Sequence, residues 1–212
     1  MPRKEQTMTS YYTVRDWVTI GLFGALWGTV ELTLGSILHA IYPPLTDTFL
    51  TGVALSGIGV ALALTGRHFV QKRGAVVLIG VVTALLKLLS VSGAKAGPVI
   101  AILIESTLME IVLWIAHASR WAFITGGALA AGWNVPHMLI MPQILLGKSA
   151  AEAYTKLIQQ GSQWLGLDPS ITLVILAALL IIQLTVGAVG GWGAWNLGRA
   201  VTRRLQPHEG NR

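Results

Sequence analysis

Long apolar runs separated by short polar intervals dominate this chain from residue 17 to residue 197. A helix needs roughly 20 mostly apolar residues to cross a bilayer. The pattern predicts six such spans, at about 17–40, 48–65, 74–91, 98–117, 120–146 and 170–197. Tyr42-Pro43-Pro44 closes the first, and the basic stretch from Arg67 to Arg73 closes the second. Ser92 to Pro98 separates the third from the fourth, while His117 to Arg120 leaves room only for a tight hairpin between the fourth and fifth. The remaining connection, Gly147 to Asp168, has capping-box spacing at Ser149 and Glu152 and an apolar set in Tyr154, Leu157, Ile158 and Trp164. A short interfacial helix over 149–165 and a helical extension of the fifth span are equally compatible with it.

The fold class expected is therefore an all-α integral membrane protein, one six-helix bundle over 1–212 with no linker and no internal repeat. Its sidedness follows from the cations. Arg3, Lys4, Arg15, Arg67, Lys72, Arg73, Arg120, Arg199, Arg203, Arg204 and Arg212 fall at one side, whereas Lys95, Lys148 and Lys156 fall at the other. That bias places both termini in the cytoplasm of a prokaryotic plasma membrane. Trp17, Trp114, Trp121, Trp192 and Trp195 mark the same interface. The basic N-terminus leads into an apolar run too long for a signal peptide, with no convincing cleavage site, so it reads as a retained first span.

Composition sharpens this. Only 11% of the 212 residues are charged and 53% are hydrophobic, against about 25% charged in soluble domains. The net charge of +6 sits at span ends, which fits membrane anchoring rather than nucleic acid. With no cysteine, disulfides and thiolate metal sites are excluded.

Ionisable groups inside a membrane are costly and face a cavity or a partner. At 1.5 Å rise per residue, Glu31, Lys87 and Asn134 lie roughly 20 Å above the cytoplasmic edge, Glu105 comes to about the same height, and His137 is one turn higher. Four spans thus carry polar side chains to one level in the outer half. Trp133 lies there too, either stacking on a flat ligand or packing. Thr83 and Ser90 make the Lys87 face polar. Simple neutralisation of Glu31 or Glu105 by Lys87 is the plainer alternative; it leaves a carboxylate, an amide and an imidazole unexplained. Glu110 is some 140° around the helix from Glu105 and reads as a structural hydrogen-bond partner or a contact to another subunit.

Small residues give a second signal. Gly21, Gly24, Ala25 and Gly28 form overlapping small-xxx-small patterns in the first span, and Gly187, Gly190, Gly191 and Gly193 do so in the sixth. Packing within the chain is preferred for the sixth; for the first, a docking surface for another membrane protein is equally open. Gly147-Lys148-Ser149 lacks the first glycine of a phosphate-binding loop, and neither an HExxH nor a metal-spaced His/Asp cluster occurs. No ATPase, metal site or cofactor is expected.

With these residues in hand, the chain resembles the S component of an energy-coupling-factor (ECF) importer. The likeness spans nearly the whole length, including Thr13-Val14-Arg15-Asp16-Trp17 followed by Gly21-Leu22-Phe23-Gly24-Ala25. It implies that the first span contacts a transmembrane T component through an A-x-x-x-A pattern. Gly21/Ala25 is the nearest match and Gly24/Gly28 the next, with glycine where the family has alanine. It also implies that two separate ATPases supply energy and that a vitamin-like solute binds in the outer half, where Glu31, Lys87, Glu105, Trp133, Asn134 and His137 lie. Ala84-Leu85-Leu86-Lys87 and Gly97-Pro98 with Glu105 are similar to members that handle the aminopyrimidine part of thiamine. Two carboxylates against one lysine favour a cationic or N–H-rich ligand such as an amino-substituted heterocycle. A stand-alone proton-coupled carrier and an intramembrane lipid-modifying enzyme are the alternatives.

Overall fold

A computed structural model describes residues 11–41, 50–89, 96–147, 159 and 172–205. Seven helices are described: α1 (Val14–Ile41), α2 (Leu50–Phe69), α3 (Ala75–Leu88), α4 (Ala96–Ile115), α5 (Arg120–Gly132), α6 (Asn134–Leu146) and α7 (Thr172–Leu205). Apart from residue 159, the predicted 149–165 helix lies outside the described residues, as do Ser90, the Tyr42–Pro44 closure, the outer lysines Lys95, Lys148 and Lys156, and Arg3, Lys4 and Arg212.

Four helices, α1, α2, α4 and α7, are long and apolar enough to cross a membrane. With 14 residues, α3 rises only about 21 Å, less than a hydrocarbon core of about 30 Å. The predicted fifth span is divided into α5 and α6, each of 13 residues. Pro136 causes the division: it has no N–H for the Gly132 carbonyl, and its ring crowds that carbonyl. The chain nevertheless continues through the break, because Trp133 N–H bonds Leu129 O and His137 N–H bonds Trp133 O. The last helix runs eight residues past the predicted end at 197, and its 34 residues extend about 51 Å.

The surface is apolar where a soluble protein would be polar. Leu22, Leu26, Ile37, Leu85, Leu129 and Ile181 all face outward, while Thr83, Glu105 and Ser106 face in. Trp27, Ile20, Val60, Leu64, Ile79, Met109, Leu113 and Phe123 fill the core. Close backbone approach contributes to this packing. At the α5–α7 crossing, Gly127 and Gly187 each lie so near the other's carbonyl oxygen that a Cβ on either would overlap it, and Gly191 sits likewise on the Phe123 carbonyl. Gly190 packs on Gly57, whereas Gly193 meets nothing. Packing within the chain thus uses three of the four glycines of the last helix.

One end of the bundle gathers the cations. Lys72 pairs with Asp16 at 2.8 Å, the Tyr12 hydroxyl donates to the Arg73 carbonyl, and Arg73 lies over the Trp114 ring. His68 packs edge-on against Trp195 and Phe123, which brings the end of α7 to the same place. Trp17, Trp114, Trp121 and Trp192 are exposed there, but Trp195 turns inward and its Nε1 is buried without a partner among the described residues. The tight 4–5 hairpin puts His117 and Ala118 in the left-handed region, at φ 52° and 38°. Ser119 then caps α5 by accepting from Ala122 N–H at 3.2 Å.

The exposed His117 lacks the freedom glycine has at positive φ, so His117→Gly should raise the thermal midpoint in detergent, by about 1 kcal/mol of stability. Gly127→Ala should lower it by roughly 1–3 kcal/mol through overpacking, and Gly193→Ala, with open space inside a helix, should raise it slightly.

Candidate functional site

The site begins where α1 and α3 lie closest. A Cβ at Gly24 would stand 2.6 Å from Val82 Cβ, and one at Gly28 would stand 2.7 Å from Leu86 Cδ1. Thr83, expected as a polar neighbour of Lys87, fastens this contact by donating to the Gly24 carbonyl at 3.0 Å. Such proximity brings the Lys87 ammonium onto Glu31: its Nζ is 3.1 Å from Oε2 and 3.0 Å from the Glu31 main-chain carbonyl. Lys87 therefore pairs with Glu31 rather than Glu105.

Glu105, on α4, is 5% exposed and has no cation within ion-pair distance among the described residues. The Asn134 side chain and the Glu31 carboxylate both lie close enough to act on its carboxyl. Asn134 sits at the start of α6, immediately after the break, and also donates to Ala131 O at 3.2 Å. His137 Nε2 lies 3.1 Å from the Gly97 carbonyl, linking α6 to the first turn of α4. The Trp133 ring is tilted against His137, with centroids 6.3 Å apart, and its Nε1 is buried with no acceptor among the described residues. The structure thus joins Lys87, Glu31, Glu105 and Asn134 in one chain of interactions, with His137 and Trp133 as a neighbouring pair.

Along α1 the two small-residue registers separate. Gly24 and Gly28 are buried against α3, so within this chain they are already occupied. Gly21 has open space where a Cβ would be, and Ala25 is exposed between Leu22 and Leu26.

Glu110 has a separate, structural place. Its carboxylate accepts from Gly74 N–H at 2.7 Å and Val76 N–H at 2.9 Å, and Arg67 Nε approaches to 3.9 Å. It serves as the cap of α3, which begins at a left-handed glycine with no capping side chain of its own. Ser56 and Gln183 are not among the residues that the sequence singled out. Both are buried, and among the described residues Ser56 Oγ and Gln183 Oε1 have no hydrogen-bond partner. Their signal in the sequence is a lone polar residue within an apolar run. Among the described residues, no three His, Asp or Glu side chains group as metal ligands would.

Residues 14–203 match the family described as hypothetical bacterial integral membrane protein (Trep_Strep). No curated protein matches the sequence. A solved structure described as the crystal structure of an S-component of ECF transporter shares the fold, with a TM-score of 0.52 and 18% identity over 92% of this chain and 86% of that one.

If Lys87 is held chiefly by Glu31, Lys87→Met should destabilise the protein by about 3 kcal/mol, because a buried carboxylate loses its partner. The Lys87→Met/Glu31→Gln double variant should recover most of that loss. A double-mutant cycle on thermal midpoints checks the coupling.

Proposed function

The chain belongs to this family of multi-pass bacterial integral membrane proteins, and on that premise we propose that it is the substrate-capturing S component of an ECF-type importer. The observation that carries the reading is the S-component fold over nearly the entire chain. The gathering of Glu31, Lys87, Glu105 and Asn134 from four different helices at one level supports it further. Polar groups brought together at such depth are retained for a solute or an ion path.

In this reading the chain has six spans, counting α5 and α6 as one bent crossing, and both termini are cytoplasmic. Eight of the eleven cations assigned inward are among the described residues, and the contacts that draw the basic end together support that sidedness. The solute enters from outside. Lys87, already neutralised by Glu31, orients that carboxylate, and Glu105 with Asn134 supplies an acceptor-rich wall. His137 and Trp133 close the outer side, with the indole available to stack. The excess of one carboxylate selects a small vitamin-like compound that is cationic or rich in N–H donors, such as an amino-substituted heterocycle, and disfavours a dicarboxylate.

No ATP-binding motif is present in the sequence, so energy comes from partners: a transmembrane T component and two ATPase subunits. The open Gly21/Ala25 register, flanked by Leu22 and Leu26, is the face of α1 left for the T component.

The test is co-expression with a T component and two ATPases from the same genome, followed by native mass spectrometry of the purified complex and ATP-driven uptake in vesicles. The expected outcome is a stable complex that retains a small solute. Glu105→Gln should lose the solute while keeping the partners, and Gly21→Leu should lose the partners while keeping the solute. Uptake by vesicles holding this chain alone, without any ATPase, would instead identify a stand-alone carrier.

A further inference from the structure

Of the carboxylates among the described residues, Glu31 and Glu105 lie in the interior polar level. The two at the basic end are already taken: Asp16 pairs with Lys72, and Glu110 caps the first turn of α3. Arg120, Arg199, Arg203 and Arg204 are exposed at that end, and among the described residues none of them has an ion pair. Exposed arginines are ordinarily just solvated. Helix register, however, gathers three of these at one seam, as scattered charges would not be.

The seam lies between α5 and α7. A Cβ at Gly191 would touch the Phe123 carbonyl and lie 3.2 Å from Ile124 Cα. Arg120, one turn before Ile124, therefore sits on the flank of α5 that borders α7. On α7, Gly190 abuts the Gly57 carbonyl of α2, and Gly191 abuts α5. Trp192 is the next step of about 100° in the same direction, so it stands on the outer side of α7 beside α5 and away from α2. Arg199 and Arg203 follow at positions within about 20° of the Trp192 direction. The exposed Trp121 borders the seam from α5. The inward side of α7 is closed by packing: Trp195 meets Phe123, with centroids 5.2 Å apart, and Gly198 abuts the His68 ring.

The heights agree with a membrane surface. From the Phe123–Gly191 crossing, Arg120 lies roughly 5 Å and Arg199 roughly 12 Å towards the basic end. A headgroup layer is about 5–8 Å deep on each side of a bilayer, and arginine stems let the charge shift along it. Tryptophans mark the upper edge of that layer. Leu197, beyond Trp192, is still 54% exposed, as suits a helix that continues among lipids rather than in water.

We propose that the α5–α7 seam binds an anionic phospholipid, with the headgroup phosphate held between Arg120 and Arg199. Arg203 extends the positive field below it, Trp121 and Trp192 border the glycerol region, and the acyl chains lie on the apolar outer surface above. Guanidinium groups with no carboxylate between them repel one another until an anion enters, and their planar forks suit phosphate oxygens. Basic pockets between membrane helices take anionic headgroups by this chemistry. A zwitterionic lipid brings its own cation and gains less. The seam lies at the opposite end of the bundle from the interior polar level, so the inference stands independently of the importer reading.

The test uses the full chain purified in detergent, titrated with dioleoyl-phosphatidylglycerol and with dioleoyl-phosphatidylcholine and followed by native mass spectrometry. The two lipids share acyl chains and differ in headgroup charge. The wild type should prefer phosphatidylglycerol by about tenfold or more, since each cation near an anionic headgroup contributes about fivefold. Arg120→Gln and Arg199→Gln should each reduce that preference about fivefold, and Arg199→Lys should reduce it less. Arg15→Gln makes the same charge change on α1, which packs on α2 and α3, and should keep the preference. Without added lipid these variants should melt with the wild type, because the altered side chains are exposed. Equal affinity for the two lipids overturns the site. So does an equal loss in Arg15→Gln and Arg199→Gln, which would mean diffuse attraction to net charge. Displacement of the lipid by excess inorganic phosphate also overturns it, since the seam would then be a free-anion site.

Discussion

Inside a hydrocarbon solvent a charged side chain has only its own protein to answer it, and that constraint organises this bundle around the contact of α1 with α3. Lys87 reaches Glu31 because Gly24 and Gly28 remove the side chains that would hold the two helices apart. The glycines and the ion pair are therefore one device. Small residues at one height set the spacing, and the charge pair one to two turns above exploits it. Thr83, bonded to the Gly24 carbonyl, fixes the register between them. Once Lys87 is committed in this way, Glu105 is left to Asn134, and the acceptor-rich side of the interior takes its character from that asymmetry.

Much of this could be read from the sequence, because depth along a helix is a matter of counting. Height along a helix needs only the rise per residue, and the described helices overlap the apolar runs of the sequence, with α7 running eight residues further. Azimuth was harder. Gly21/Ala25 and Gly24/Gly28 are overlapping small-residue registers on one helix. Nothing in α1 alone says which faces α3; that is decided by Val82 and Leu86 on another segment. The choice of Lys87 between two carboxylates at the same height had the same origin. Trp195 was counted with the interfacial tryptophans from its position along the chain, yet it turns inward to Phe123 and His68. Ser56 escaped notice because a serine in an apolar run usually satisfies itself on its own helix carbonyl, as Thr65 does here.

The break at Trp133 shows how local and tertiary effects combine. Pro136 interrupts the ladder at Gly132, and the freed turn is where Asn134 reaches Glu105 and where His137 meets the Gly97 carbonyl. Irregular backbone at membrane depth is tolerated only when it is covered by protein or lines a polar interior. Here it supplies three of the six residues singled out for solute contact.

The Glu110 cap bears on how the protein is made. Too short to cross the hydrocarbon by itself, α3 begins at a left-handed glycine and takes its capping carboxylate from α4, 36 and 34 residues away from the amides it serves. During synthesis α3 emerges before the group that completes its first turn exists. Until α4 is present, the first-turn amides of α3 lack the carboxylate that satisfies them, a contribution of about 1 kcal/mol for a cap of this kind.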